Sequence, residues 1–96
     1  MYVINSFQVP LALDCKVQLP KGKILSFNKY IPTINSPGAN EEYLLVSIWH
    51  EKKAPNVDYE FYIIIEPTEM KITGDVGKYW GSFDINNDIY HVFNKI

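Results

Sequence analysis

Apolar and polar side chains alternate along much of this chain, which is the pattern of β-strands with one buried face. The clearest alternation runs from Leu11 to Leu19, where every second residue is apolar, and Pro10 and Pro20 bracket it. Proline cannot donate a hydrogen bond within a central ladder, so these prolines limit the strand. We predict a strand over residues 13–19 with Cys15 on its apolar face.

Two more strands are predicted in the first half of the chain. Residues 2–9 carry Val3, Phe7 and Val9 on one face. A turn at residues 20–23 precedes a strand over 23–31, because proline and glycine favour turn geometry. One face of that strand would carry Leu25, Phe27 and Ile31, and the other Ile24, Ser26, Asn28 and Tyr30. Residues 32–41 have the composition of a loop.

The strands predicted over 43–49 and 59–65 are apolar on both faces, with a polar loop at 51–58 between them. A buried helix over 43–49 is the alternative, but the short length and the β-branched content favour a strand. Three arrangements would account for the second apolar face: a homodimer or partner interface, a closed barrel, or a cover formed by loop 32–41. The side chains concerned are Leu44, Val46, Ile48, Tyr62 and Ile64.

The chain closes with a predicted hairpin, in which strands 79–83 and 89–93 flank a turn at Asn86–Asn87. Asparagine tolerates the positive φ that tight hairpin turns require. Gly81 in mid-strand indicates a bulge or a close backbone approach. The one candidate helix start is at Glu66–Pro67, and glycines soon after it allow at most one short helical turn.

These elements predict a single all-β domain over residues 1–96. Its architecture would be a small antiparallel β-sandwich or barrel of six to seven strands. The composition agrees, since aromatic residues make up 15% of the 96 residues and only three alanines occur. A chain of this length supports one hydrophobic core.

Charge and cysteine content limit the functional classes. The formal net charge is -2 and no run of basic residues exceeds two, so nucleic-acid binding is not expected. The single cysteine permits no intrachain disulfide. No signal-peptide pattern or membrane-length apolar run occurs, so we expect a cytoplasmic protein without a membrane partner.

The residues with reactive side chains do not form a recognisable catalytic or metal-binding motif. Cys15 lies on an apolar strand face and is expected in the core. His50 and His91 are expected to be partly exposed, at or near strand ends. The acidic residues are expected in solvated turns or at strand edges, at 41–42, 66–69 and 84–88. We therefore predict no catalytic residues, no metal site and no cofactor, and a protein that is not an enzyme.

The aromatic side chains are the candidates for binding residues. Tyr79 and Trp80 are adjacent, so they face opposite sides of a strand, and one of them should be exposed. Trp49 and Tyr62 lie on strands whose two faces are both apolar. Exposed Trp and Tyr residues often anchor binding interfaces. The alternative is that all four fill the interior of a small β domain.

Several short segments resemble, in order and spacing, a family of small phage-associated β domains of unknown function. They are residues 19–26 (LPKGKILS), 44–49 (LLVSIW), 60–63 (EFYI), 77–83 (GKYWGSF) and 91–93 (HVF). The corresponding family features are an LPKG-ILS segment, a strand of aliphatic residues with a Trp, a G-x-Y-x-G segment and a closing H-V-F. Where the family has a Gly-Thr-Gly turn, this chain has residues 65–69 (IEPTE).

The resemblance implies an accessory protein of a phage or mobile element that binds a host component without catalysis. The first hypothesis is inhibition of a host defence protein, such as a CRISPR effector, in the host cytoplasm. A second is an oligomeric sponge that captures a nucleotide-type signal molecule between subunits. A third is a structural or virion accessory module. These hypotheses rest on family-level analogy.

Overall fold

The computed structural model describes residues 1–30, 43–67, 69 and 75–95, and within them it has seven β-strands and no helix. The strands are β1 Tyr2–Pro10, β2 Asp14–Pro20, β3 Gly22–Lys29, β4 Tyr43–Glu51, β5 Asn56–Glu66, β6 Val76–Ile85 and β7 Asp88–Lys95. In this part of the chain no helix has the length and apolar character needed to span a membrane.

The strands form two antiparallel sheets. The three-stranded sheet has the order β1-β4-β3, and the four-stranded sheet has the order β2-β5-β7-β6. The chain changes sheet in short connections, between β1 and β2, between β2 and β3, and between β4 and β5. The prediction of an all-β fold with six to seven strands is confirmed, and the two sheets make it a small β-sandwich.

The hydrophobic core lies between the two sheets. Phe27 of the three-stranded sheet meets Phe61 of the four-stranded sheet edge to face, with ring centroids 5.0 Å apart. The buried side chains of the core cluster are Val9, Cys15, Leu19, Phe27, Leu44, Val46, Ile48, Phe61, Ile63, Ile85 and Val92. Period-two alternation therefore identified the inner faces of β1 and β2 correctly.

Strand β4 resolves the ambiguity of the doubly apolar segment. Leu44, Val46 and Ile48 are fully buried and form part of the core. The hypothesis that these three side chains form a homodimer or partner interface is therefore wrong. The outer face of β4 instead carries Leu45, which is half-buried, and Trp49, which is exposed. Alternation alone could not choose between two apolar faces.

Strand β3 departs from the prediction because its register shifts. Ile24 pairs with Ile48, and Ser26 pairs with Ser47, so Leu25 forms a bulge between them. A bulge reverses the alternation on its far side. Ile24 and Phe27 consequently both face the core, while Leu25 is exposed. The assignment of Leu25 and Phe27 to one face was wrong, and Ile31 lies outside the described residues.

The other predicted boundaries are close to the observed ones. β5 begins at Asn56, three residues before the prediction, because residues 56–58 pair with the end of β2. The closing hairpin is confirmed, with φ of 52° at Asn86 and 69° at Asn87. Gly81 has φ of 122° at a register shift of β6, as predicted for a bulge. The predicted loop 32–41 lies outside the described residues, as does most of the segment after Pro67.

Cys15 lies in the core, as predicted, and burial raises the pKa of its thiol from the ordinary 9.0 to about 11. The folded protein therefore keeps the thiol protonated at pH values where the unfolded chain already ionises. Its contribution to stability is complete below the ordinary pKa and is lost as the pH rises toward the folded-state pKa.

Raising the pH from about 8 to about 10 should lower the free energy of unfolding of both the wild type and Cys15→Ala. We expect the decrease to be about 1 kcal/mol larger for the wild type, since one pKa unit corresponds to about 1.4 kcal/mol. Urea unfolding of both proteins at the two pH values measures this difference. Titrating lysines and tyrosines affect both proteins equally and cancel. An identical loss of stability in both would show that the Cys15 thiol is not the group responsible.

Candidate functional site

Trp80 and Tyr79 face opposite sides of β6, as predicted. The Trp80 ring packs against the core beside Phe27, with centroids 5.7 Å apart, and its Nε1–H donates to Asn94 Oδ1 at 2.7 Å. Lys78 Nζ lies 4.1 Å from the Trp80 ring centroid. Tyr79 is about half exposed on the outer face of the four-stranded sheet. Of these two candidate binding residues, only Tyr79 therefore has an exposed side chain.

Tyr62 lies on the same outer face as Tyr79 but is only 3% exposed. Lys95 Nζ lies 5.3 Å from the Tyr62 ring centroid and donates a hydrogen bond to Asp14 Oδ1 at 3.3 Å. That hydrogen bond, together with the negative charge of Asp14, raises the pKa of Lys95. Tyr62 is thus covered and does not offer a contact surface in this conformation.

Trp49 lies at the centre of an exposed apolar surface on the outer face of the three-stranded sheet. Strand register places Ile4 and Lys23 on either side of it, on β1 and β3. Trp49 is 47% exposed and Ile4 is 63% exposed. Tyr2, 67% exposed, meets the Trp49 ring edge to face at 5.8 Å. We call Tyr2, Ile4 and Trp49 the aromatic face.

A groove of about 610 Å³ opens beside the aromatic face, at the end of the sandwich where two turns meet. Its lining comes from Tyr2, from the β2–β3 turn at residues 21–23, and from residues 49–51, 54 and 55. We call this concavity the Trp49 groove. Ile4 does not line it. The aromatic face and the Trp49 groove therefore share Tyr2 and Trp49 but differ in Ile4 and in the turn residues.

The walls of the groove are held together by hydrogen bonds between segments distant in sequence. Lys21 N–H donates to the Pro55 carbonyl oxygen at 2.8 Å, which joins the two turns. The Tyr59 hydroxyl donates to the Pro20 carbonyl oxygen at 2.8 Å and accepts from Gly22 N–H at 3.0 Å. Because the two turns take part in these bonds only through backbone groups, the bonds do not depend on which side chains the turns carry.

Gly22 brings β3 close to β4 at the groove wall. A Cβ atom at this position would collide with the Trp49 carbonyl oxygen and lie 2.7 Å from the Cβ of His50. Only glycine permits this approach, so the turn at residues 20–23 has a structural reason for its glycine. The backbone behind Trp49 is consequently packed tightly against the turn.

His50 is buried, not partly exposed as predicted. Its Nδ1–H donates to the Glu51 carbonyl oxygen at 2.7 Å, and its Nε2 accepts from the Asn5 side-chain amide at 3.2 Å. A carbonyl oxygen can only accept, so these partners define the neutral tautomer. Both ring nitrogens are occupied, and His50 acts as a structural residue at the base of the groove.

His91 is partly exposed, as predicted, but it does not lie at a strand end. It lies within β7, where its Nε2 is 2.7 Å from Glu66 Oε2 and its Nδ1 is 2.9 Å from the Tyr79 hydroxyl. The three residues form a hydrogen-bonded chain across the outer face of the four-stranded sheet. Glu66 is exposed at the end of β5, as expected for a solvated acid at a strand edge, but its contact with His91 was not predicted. Its sequence separation from His91 left no local signal.

This Glu66–His91–Tyr79 chain has the order of a carboxylate, an imidazole and a hydroxyl, which in catalytic sites can activate a nucleophile. Its surroundings differ from such a site. The side chains of His91 and Glu66 are 30% and 54% exposed, and Tyr79 is also exposed. Catalysis by such a group requires a substrate held in place and shielded from water. His91 holds the Tyr79 hydroxyl, and Glu66 in turn holds the His91 ring.

Among the described residues, no three His, Cys, Asp or Glu side chains are grouped so that they could hold a metal ion. Comparisons with protein-family models, curated proteins and solved structures find no match to this chain.

Proposed function

We propose that this protein is a non-enzymatic binding protein that captures another protein on its aromatic face. The observation that supports this most strongly is the grouping of Tyr2, Ile4 and Trp49, all exposed, on one outer face of the sandwich. Exposed aromatic and aliphatic side chains that lie together commonly anchor protein–protein contacts. Neighbouring side chains already cover about half of Trp49, so ordering its side chain on binding costs little conformational entropy.

The resemblance to small phage-associated domains supports a source and a class of partner. On that basis, the partner is a host protein, and the biological effect is inhibition of a defence component such as a CRISPR effector. The aromatic face would cover a surface that this component needs for its activity. Reactive groups are not needed for this mode of action, in keeping with the structural roles of Cys15 and His50.

Ile4→Ser tests the proposal because Ile4 belongs to the aromatic face and to no wall of the groove. The matched control is Ile89→Ser, an exposed isoleucine on the four-stranded sheet. Both variants replace an exposed isoleucine by serine, so both should fold. The wild-type chain and the two variants are immobilised and exposed to lysates of bacteria that carry CRISPR systems, and captured proteins are identified by mass spectrometry.

We expect a protein that is captured by the wild type and by Ile89→Ser and is lost with Ile4→Ser. With that protein purified, Ile4→Ser should weaken binding about tenfold or more, the effect of removing an interface anchor. Equal capture by all three chains would contradict the proposal. Capture of phage structural proteins alone, or a wild type that only self-associates, would also contradict it.

A further inference from the structure

We infer that the Trp49 groove is a binding site for a nucleotide-class ligand, meaning a planar base joined to one or more phosphate groups. This inference goes beyond the proposed capture of a protein on the aromatic face. It concerns a separate concavity with its own charged residues. Four properties of the groove support it: its size, its rigidity, its aromatic wall and its charge.

The size and position of the groove suit a small molecule. Its volume of about 610 Å³ lies within the range of about 300–1,000 Å³ that ligand sites occupy. It lies at the junction of the two sheets, between the β2–β3 turn and the β4–β5 turn. A flat protein–protein contact would not need this concavity.

The groove is preformed. The Lys21–Pro55 backbone hydrogen bond and the two hydrogen bonds of the Tyr59 hydroxyl hold its walls without a ligand. The close approach at Gly22 leaves the β3 backbone little freedom behind Trp49. A preformed site loses less conformational entropy when its ligand binds.

The aromatic wall offers a surface on which a base can stack. Trp49 and Tyr2 line the groove and are both exposed. The two rings meet edge to face, with an interplanar angle of 68°, so they are not stacked on each other. Stacking of a base on an aromatic side chain contributes about 1–3 kcal/mol and depends little on which base is present.

The charge at this end of the protein favours phosphate. Lys21 and Lys23 line the groove, and Lys52 and Lys53 line a neighbouring depression of about 250 Å³, while one carboxylate, that of Glu51, lines both. These are four of the nine basic residues in a chain whose net charge is -2. In the part of the chain that the structure describes, none of the four forms a salt bridge. Unneutralised lysines together with an aromatic wall match a nucleotide better than a neutral metabolite.

The lysines of the groove would also attract an acidic peptide, but an acidic peptide carries no planar base to stack on Trp49. The base is therefore the feature to test. Isothermal titration calorimetry with ATP, GTP, NAD and cyclic di-AMP covers the main nucleotide shapes. Adenosine tests the base without phosphate, tripolyphosphate tests phosphate without the base, and a glutamate–tyrosine peptide tests the acidic-peptide alternative.

We expect at least one of the four nucleotides to bind with a dissociation constant below about 1 mM, and about tenfold or more tightly than adenosine and tripolyphosphate. The double variant Lys21→Glu/Lys23→Glu should weaken this binding about tenfold or more, because it removes charged hydrogen-bond donors to phosphate. Trp49→Leu should weaken it about tenfold through lost stacking. Lys16→Glu is the control, since Lys16 pairs with Asp58 on the other sheet.

The inference is overturned if none of the four nucleotides binds at about 1 mM, or if the peptide alone binds. It is also overturned if tripolyphosphate binds as tightly as the best nucleotide, or if Lys16→Glu is as harmful as the double variant. Circular dichroism establishes that each variant is folded. Ile4→Ser should bind the nucleotide like the wild type, so failure here and failure of protein capture are separate results.

Discussion

Ile48→Ala should lower the free energy of unfolding by about 2–5 kcal/mol, the range for deleting a buried aliphatic side chain from a packed core. Ile48 is fully buried at the centre of the three-stranded sheet, paired with Ile24 on one side and Asn5 on the other. The surrounding strands are hydrogen-bonded on both edges of β4, so they cannot close fully around the cavity.

The matched control is Ile4→Ala, which removes the same atoms from an exposed position on the neighbouring strand. It should cost less than about 1 kcal/mol, as most surface substitutions do. Urea unfolding followed by tryptophan fluorescence measures both variants. Equal losses of stability, or a larger loss for Ile4→Ala, would mean that β4 buries its opposite face and that the described sandwich is wrong.

Gly22→Ala should destabilise the protein by about 3 kcal/mol, the upper part of the range for overpacking a tight site. The added Cβ would meet backbone and Cβ atoms of β4, which cannot move aside as a flexible side chain can. The cost is therefore a shift of β3 away from β4. This shift would also break the hydrogen bond between Gly22 N–H and the Tyr59 hydroxyl.

Lys21→Ala, in the same turn, provides the comparison. The Lys21 side chain is exposed, and the variant keeps the backbone hydrogen bond from residue 21 to the Pro55 carbonyl oxygen. It should change the free energy of unfolding by less than about 0.5 kcal/mol. The same urea titration measures both. If Gly22→Ala proved as stable as the wild type, the close approach of β3 to β4, and with it the preformed wall of the Trp49 groove, would be refuted.

Local patterns in the sequence were sufficient for the elements and for several side-chain orientations. The alternation over residues 11–19 placed Cys15 in the core, and the paired asparagines placed the closing turn. Adjacent positions on one strand required Tyr79 and Trp80 to face opposite sides. Each of these features depends on residues a few positions apart, and so a single sequence carries the signal.

Features that depend on sheet pairing could not be predicted in the same way. Both faces of β4 are apolar, and only the packing of the second sheet decided which of them is core. The bulge at Leu25 reverses the alternation of β3, and a bulge without glycine has no strong local signal. In each case the deciding partner lies on another strand, so periodicity within the segment left the core face of β4 undecided and gave the wrong face for Leu25.

The candidate site likewise combines features that local sequence predicts with features that depend on contacts between distant segments. Trp49 was identified from its residue type, and residues 20–23 were identified as a turn. Their meeting in one groove depends on the bonds of Lys21 with Pro55 and of Tyr59 with Pro20, more than 30 residues apart in the chain. The chain of Glu66, His91 and Tyr79 likewise spans three strands.

The proposed function requires a partner protein to bind on the outer face of the three-stranded sheet. The most direct test is the affinity of a purified captured protein for Ile4→Ser relative to Ile89→Ser, measured by calorimetry. We predict that Ile4→Ser binds about tenfold or more weakly, while Ile89→Ser matches the wild type. The opposite order, with binding lost in Ile89→Ser and kept in Ile4→Ser, would contradict the account and assign the function to the four-stranded sheet.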